Sequence, residues 1–322
     1  MIAVSKALAA GRHVPAPGWA WSTAESAFWR RLARGLATYA PDWFLRYSPT
    51  AIALVAAAVL PGARRGVSRN LVRIRGEVSP ARHAYDVART FTSYAGCIAE
   101  VMTNGTKNET HPEVTILGEN DFYRAAARGR GIIMVTAHTA GWELTGPCIL
   151  RDSGMQIMMV MEPEPDPVAR KLQDEARTAS GLAVAHVGDD PFASLPLLHH
   201  LRKGGIVAFQ IDRTPPGMRS RSVTMFGEPG TVPEGPMRLA QVSGAPILPA
   251  FSGRLGHRRY FVDIRPAIEI SRRAKGDELD RVAQHMADAM MRFLEERPTE
   301  WFDWGRDPSP LRDAGASRPR VR

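Results

Sequence analysis

The chain has 322 residues, of which 44% are apolar and 23% charged. That is ordinary globular composition, and it excludes a wholly disordered or collagen-like chain. Two cysteines, Cys97 and Cys148, exclude a disulfide framework and a four-cysteine zinc centre. The net charge of +9 sits entirely in residues 1–90, where thirteen Lys/Arg face four Asp/Glu, while the rest of the chain holds 29 of each. Something acidic is therefore expected to meet the N-terminal end.

Residues 1–22 contain Gly and Pro and no long apolar region, so they read as a loose segment and a poor secretory signal. Residues 23–60 read as two helices separated at Pro41. Aromatic and basic residues flank them, in Phe28-Trp29-Arg30-Arg31, Trp43-Phe44-Leu45-Arg46-Tyr47 and Arg64-Arg65, around an unbroken apolar run at 51–60. Ten helical residues reach only about 15 Å, half of a roughly 30 Å hydrocarbon core. The run is too short to span alone, but its edges suit a helix lying in an anionic membrane surface. The plainer reading is a buried helix with a basic rim. No nucleic-acid motif accompanies the charge, and no nucleic-acid partner is expected.

A third helix is predicted over 80–102, with Ala84, Val87, Phe91, Tyr94, Ile98 and Val101 at helical spacing. Beyond Asn104-Gly105 the pattern changes. Short β-like runs occur at 131–137, 156–161, 182–187, 205–211, 246–251 and 260–264, with helical stretches at 166–179, 191–202 and 236–242 and a last helix at 277–296. This alternation predicts an α/β fold: a mixed, partly parallel sheet flanked by helices. Residues 23–308 are expected to form one domain, with N-terminal helices at 23–105, an α/β body at 106–308 and a disordered polar tail at 309–322.

His138 leaves the end of the first β-like run of that body, and Glu143 follows five residues later, an H-x₄-E spacing. Active sites of open α/β sheets lie at strand C-termini. The two side chains can meet if His138 occupies the turn before a helix, which Gly141 eases. Glu143 would then hold one ring nitrogen and leave the other free to take a proton. Alone, the spacing is common, and a single histidine is more often structural. The HExxH pattern is absent, so no metal is expected. Asp212 and Arg213 close a second strand in Gln210-Ile211-Asp212-Arg213. Glu234-Gly235 reads either as a phosphate-binding helix start or as a turn and cap. Arg238 reads as an acceptor-binding cation or a solvated helix face.

The ordered series HTAGWE (138–143), QIDR (210–213), MFG (225–227) with TVPEGPMRLAQ (231–241), SGAPILPAFSGR (243–254) and ERPTEWFDWGRD (296–307) resembles the bacterial lipid A biosynthesis lauroyl/myristoyl acyltransferases. These belong to the wider glycerolipid acyltransferase superfamily. Upstream Arg69-Asn70-Leu71 fits the same pattern, and the likeness covers roughly residues 25–308. The resemblance implies transfer of a fatty acyl chain from a thioester on acyl carrier protein or coenzyme A to a lipid hydroxyl. It implies no cofactor beyond the donor's own phosphopantetheine, and a site on the cytoplasmic face of the bacterial inner membrane. His138 is then the general base, with Glu143 ranked narrowly ahead of Asp212 as the group that orients it. Arg213, or backbone N–H groups near Gly141, would meet the oxyanion. Gly141, Glu234, Gly235 and Arg238 would contact substrate. The acceptor would be a lipid A precursor or related glycolipid; phosphatidylinositol mannoside acyltransferases look similar at this level. An acyl thioesterase, or a lipid-binding protein on the same fold, are the competing readings. Cys148 is expected in the core, and Trp301 and Trp304 are expected to pack rather than face a membrane.

Overall fold

A computed structural model describes residues 32, 35–161, 170–171, 174–175, 177–178, 181–186, 194–214 and 217–304. The β-like runs form strands β2 (Ile132–Thr136), β3 (Ile157–Met161), β4 (Ala183–His186), β5 (Ile206–Gln210), β8 (Ile247–Gly256) and β9 (Arg259–Ile264). Strand β1 (Glu113–Leu117) and a hairpin of β6 (Ser220–Met225) and β7 (Glu228–Pro233) lie outside the predicted runs. The seven-stranded sheet has the order β1-β9-β8-β2-β5-β3-β4, and only the β8/β9 pair within it is antiparallel. β6 and β7 form a separate antiparallel pair.

Ile132 to Val135 are all buried, as a strand covered on both faces requires. Their side chains alternate. Ile133 and Val135 join the larger core with α6 (Ser194–Arg202), α7 (Gly235–Ser243) and α8 (Gly276–Glu296). Ile132 and Met134 join the second core with α4 (Glu119–Ala126) and α5 (Trp142–Ser153). The methionines 158, 159 and 161 take ordinary places in these two cores.

Strand order fixes where a site can form. From β2 the chain crosses to β3 on one side, and from β5 it returns to β8 on the other. Connections leaving neighbouring strands in opposite directions open a crevice at their C-terminal ends. His138 follows β2 and Asp212 follows β5.

The N-terminal region is helical, with α1 (Asp42–Val59), α2 (Pro61–Arg75) and α3 (Pro80–Met102). The predicted break at Pro41 is present, while residues 23–31 lie outside the described residues, as do 1–22 and the 309–322 tail. The predicted 166–179 helix is described only at 170–171, 174–175 and 177–178, which are helical. Helix α2 was not predicted: it starts on Pro61 and buries Ala63, Val67, Leu71 and Ile74 along one face. α1 and α2 meet at a 95° bend, and no single helix among the described residues is long and apolar enough to cross a membrane.

Helix α3 has its predicted limits but a different buried face. Tyr94 and Ile98 are partly exposed, whereas Asp86, Thr90, Ser93 and Glu100 are buried beside Val87, Phe91 and Cys97. Each buried acid is matched. Asp86 pairs with Arg75 and Arg82. Glu100 accepts from Tyr260 Oη at 2.6 Å and from Arg254 Nη2 at 2.7 Å. Such pairing is what allows a carboxylate to be buried.

Candidate active site

The segment after β2 is clamped by the chain's C-terminal part. Ala140 N–H donates to the Glu300 carbonyl at 3.0 Å, and Phe302 N–H donates to the His138 carbonyl at 2.8 Å. Thr139 and Trp301 form an antiparallel bridge. Glu300 is itself buried, accepting from Ser93 Oγ and from Arg254 N–H, both at 3.1 Å. Burial raises its pKa, against those two donors.

Gly141 starts α5 with φ +81°, and a Cβ there would come within 2.3 Å of the Tyr260 ring. The position therefore needs glycine for conformation and for space. That accounts for Gly141 without substrate contact.

His138 Nδ1 lies 2.9 Å from Asp212 Oδ1, and the His138 backbone N–H donates to the same oxygen at 3.2 Å. Trp301 Nε1 donates to Asp212 Oδ2 at 3.0 Å. The Asp212 carboxyl has no exposed surface, while the His138 side chain is 25% exposed. Burial alone would raise the Asp212 pKa. The adjoining His138, Arg213 and the Trp301 indole outweigh it, holding the carboxyl below its ordinary range. Among the described residues, His138 Nε2 has no hydrogen-bond partner. The arrangement is an imidazole with one nitrogen fixed by a buried carboxylate and the other free, which suits proton transfer.

The expected Glu143–His138 contact is not formed. Glu143 Oε1 instead pairs with Arg177 Nη2 at 2.7 Å. Arg177 also lies 3.9 Å from Asp174, which in turn meets His186 Nε2 at 2.8 Å. The sequence reading missed this second charged set, because Arg177 and His186 fall in segments without a motif of their own. Arg213 is close to Asp212, but its Nη2 donates to the Phe302 carbonyl at 2.8 Å, which ties it to the C-terminal clamp.

Glu234, Gly235 and Arg238 come together at the start of α7, and the ion pairs of Glu234 and Arg238 do not involve His138 or Asp212. Buried Glu234 accepts from Arg221 Nη2 at 2.7 Å and pairs with Arg238 Nη2 at 2.9 Å. Burial raises its pKa, but the two arginines prevail and lower it. Beside them lies an open polar groove of about 670 Å³, lined in part by Arg219, Arg221, Arg238 and Asp280.

Both cysteines are buried. Burial pushes the Cys97 thiol up to about 12, and Cys148 is raised by the same cause. Neither suits a nucleophile's role. Trp301 is buried in the main core, and Trp304 packs edge-on against Phe91 and Tyr94, so both pack as expected. No group of three or more metal-ligating side chains is found among the described residues.

The family model described as bacterial lipid A biosynthesis acyltransferase matches residues 27–304. A phosphatidylinositol mannoside acyltransferase of Mycobacterium tuberculosis is 26% identical over 267 residues, covering 80% of each chain. A lipid A biosynthesis acyltransferase of Haemophilus influenzae is 24% identical over 200 residues, covering 61% of this chain and 59% of its own. The solved 1-acyl-sn-glycerophosphate acyltransferase of Thermotoga maritima aligns with 84% of this chain and 97% of its own, at 14% identity and a TM-score of 0.36.

Proposed function

The chain belongs to the bacterial lipid A biosynthesis acyltransferase family, and within that family we propose that it moves a fatty acyl chain from an acyl thioester to a hydroxyl of a glycolipid, with His138 as general base. The acyl donor is carried on acyl carrier protein or coenzyme A. The acceptor is a lipid A precursor or a phosphatidylinositol mannoside-type glycolipid. The observation that carries this reading is the strand-end His138–Asp212 pair, with Nε2 open to an incoming hydroxyl.

A hydroxyl is a weak nucleophile at neutral pH. His138 Nε2 accepts its proton as the oxygen attacks the thioester carbonyl. Asp212 fixes the ring tautomer and offsets the charge of the imidazolium. The tetrahedral intermediate expels the thiolate, which takes the proton back, leaving an ester and a free thiol. The oxyanion needs donors. The N–H groups of Trp142 and Glu143 start α5 and so have no intrahelical acceptor, and a helix start favours negative charge. Arg213 is the second candidate. Half-exposed Arg238 and the neighbouring groove offer cationic groups to a phosphorylated acceptor.

The acceptor is a lipid, and α1 supports a membrane-bound working state; the membrane we propose is the bacterial inner membrane, at its cytoplasmic face. Trp43, Tyr47, Ile52, Val55 and Val59 are all exposed on that helix, an apolar surface that water does not favour. Replacing Ile52 and Val55 together by Asp is expected to lower binding to anionic vesicles by at least about tenfold, since each side chain gains roughly 1.5–3 kcal/mol on burial. Vesicle flotation measures it, and unchanged binding would remove α1 from the account. The function itself is tested by mass spectrometry of a glycolipid extract incubated with protein and acyl thioester. A glycolipid heavier by one acyl group is expected; free fatty acid as sole product would favour the thioesterase.

A further inference from the structure

We propose that Trp301 is a positioning residue of this site: its indole N–H holds the outer oxygen of the Asp212 carboxylate, so that the inner oxygen stays aimed at the His138 ring. The proposal rests on the reading of His138 as general base. Its geometry is independent of that reading.

Asp212 Oδ1 meets both the ring and the backbone N–H of His138, and Oδ2 meets only Trp301 Nε1 among the described residues. With no exposed surface, the carboxyl has no bulk water with which to replace a lost donor. Two fixed ends set the plane of a carboxylate that would otherwise rotate about its Cβ–Cγ bond.

The choice of indole has a chemical reason. Indole N–H is a donor only. A hydroxyl in its place is able to turn and accept, and an amide is able to flip, so either would let Asp212 be held in its protonated form. Trp301 favours the ionised form alone. Its own position is fixed by the core, where it is 5% exposed, and by the clamp on either side: the Thr139 bridge, the Ala140–Glu300 bond and the Phe302–His138 bond. Arg213 ties to the same clamp through the Phe302 carbonyl, as does Asn70, whose Nδ2 donates to the Asp303 carbonyl at 2.7 Å. The C-terminal segment thus delivers a donor to the site from outside the sheet.

The test removes the donor and keeps the ring. Trp301→Phe is the simple variant. Replacement of Trp301 by 3-benzothienylalanine, in which sulfur stands for N–H, preserves the volume if the phenylalanine variant does not fold. Two quantities are read. The first is the pH titration of the His138 ring by ¹⁵N NMR. With Oδ2 unbonded, the carboxylate is free to turn off the ring and its hold on the imidazolium weakens, so the titration is expected to move down from its wild-type position. The other charged groups at this end of the sheet, Arg213 and the Glu143–Arg177 pair, are untouched by the change. The second is acyl transfer, in which kcat is expected to fall about tenfold with KM little changed.

A His138 titration equal to that of the wild type overturns the proposal, whatever happens to activity, because a purely structural tryptophan leaves it in place. A wild type that transfers no acyl chain would instead defeat the proposed function, and the NMR titration would still decide the role of Trp301.

Discussion

Replacing His138 by alanine is expected to lower acyl transfer by about 10²–10⁴-fold, the range that a positioned general base contributes. The loss should fall on kcat. His138 meets Asp212 and stands edge-on to Trp142 at 6.2 Å. The fold should survive, because the ring is partly exposed and the His138 backbone groups that bind Asp212 and Phe302 remain. Steady-state rates, with circular dichroism to confirm folding, make the measurement. Activity within threefold of the wild type would leave the histidine as a structural turn.

The second large effect is expected from Asp212→Asn. An amide of the same shape keeps the packing but removes the charge that balances the imidazolium. A charge-assisted bond is worth about 1.5–3 kcal/mol, so kcat should fall roughly 10–100-fold. The His138 titration should move down, in the same direction as on removing the Trp301 donor and further. The sign for stability follows from the depressed pKa of Asp212. Its ionised form stabilises the fold above the ordinary value near 3.8, and that contribution is lost as pH falls through the lower folded value. The asparagine variant lacks this term, so thermal melts of the two proteins should converge in acid and separate toward neutrality. Equal rates and equal melts at all pH values would remove Asp212 from the account.

Much of the body was legible in the sequence. Six apolar runs became strands because each is short, rich in β-branched or aliphatic residues and bounded by Gly or Pro. His138, Asp212 and Arg213 were found because a polar residue ending an apolar strand stands out. The partner of His138 was harder. Glu143 is five residues away, while Asp212 is 74 positions away and becomes a neighbour only because β5 lies beside β2. Strand order is a property of the whole sheet, and no local spacing encodes it.

The same reasoning explains the other differences. Helix α3 buries Glu100 because Arg254 and Tyr260, more than 150 residues later, supply its donors. The β6–β7 hairpin turns through Phe226 and Gly227, at φ +51° and +80°. Both central residues of such a turn lie in the left-handed region, where Asn-Gly is the usual sequence signal. Phe-Gly carries only half of it. The strands beside it mix Ser, Arg, Thr, Pro and Gly, so periodicity added nothing.

The central claim is that the His138–Asp212 pair serves a lipid hydroxyl rather than water. The consumption of acyl thioester by the purified wild type, with and without a bacterial glycolipid extract, tests it most directly. Consumption that requires the lipid, and ends when the acceptor is exhausted, is the predicted result. Consumption at the same rate without lipid would contradict it and make the protein a thioesterase.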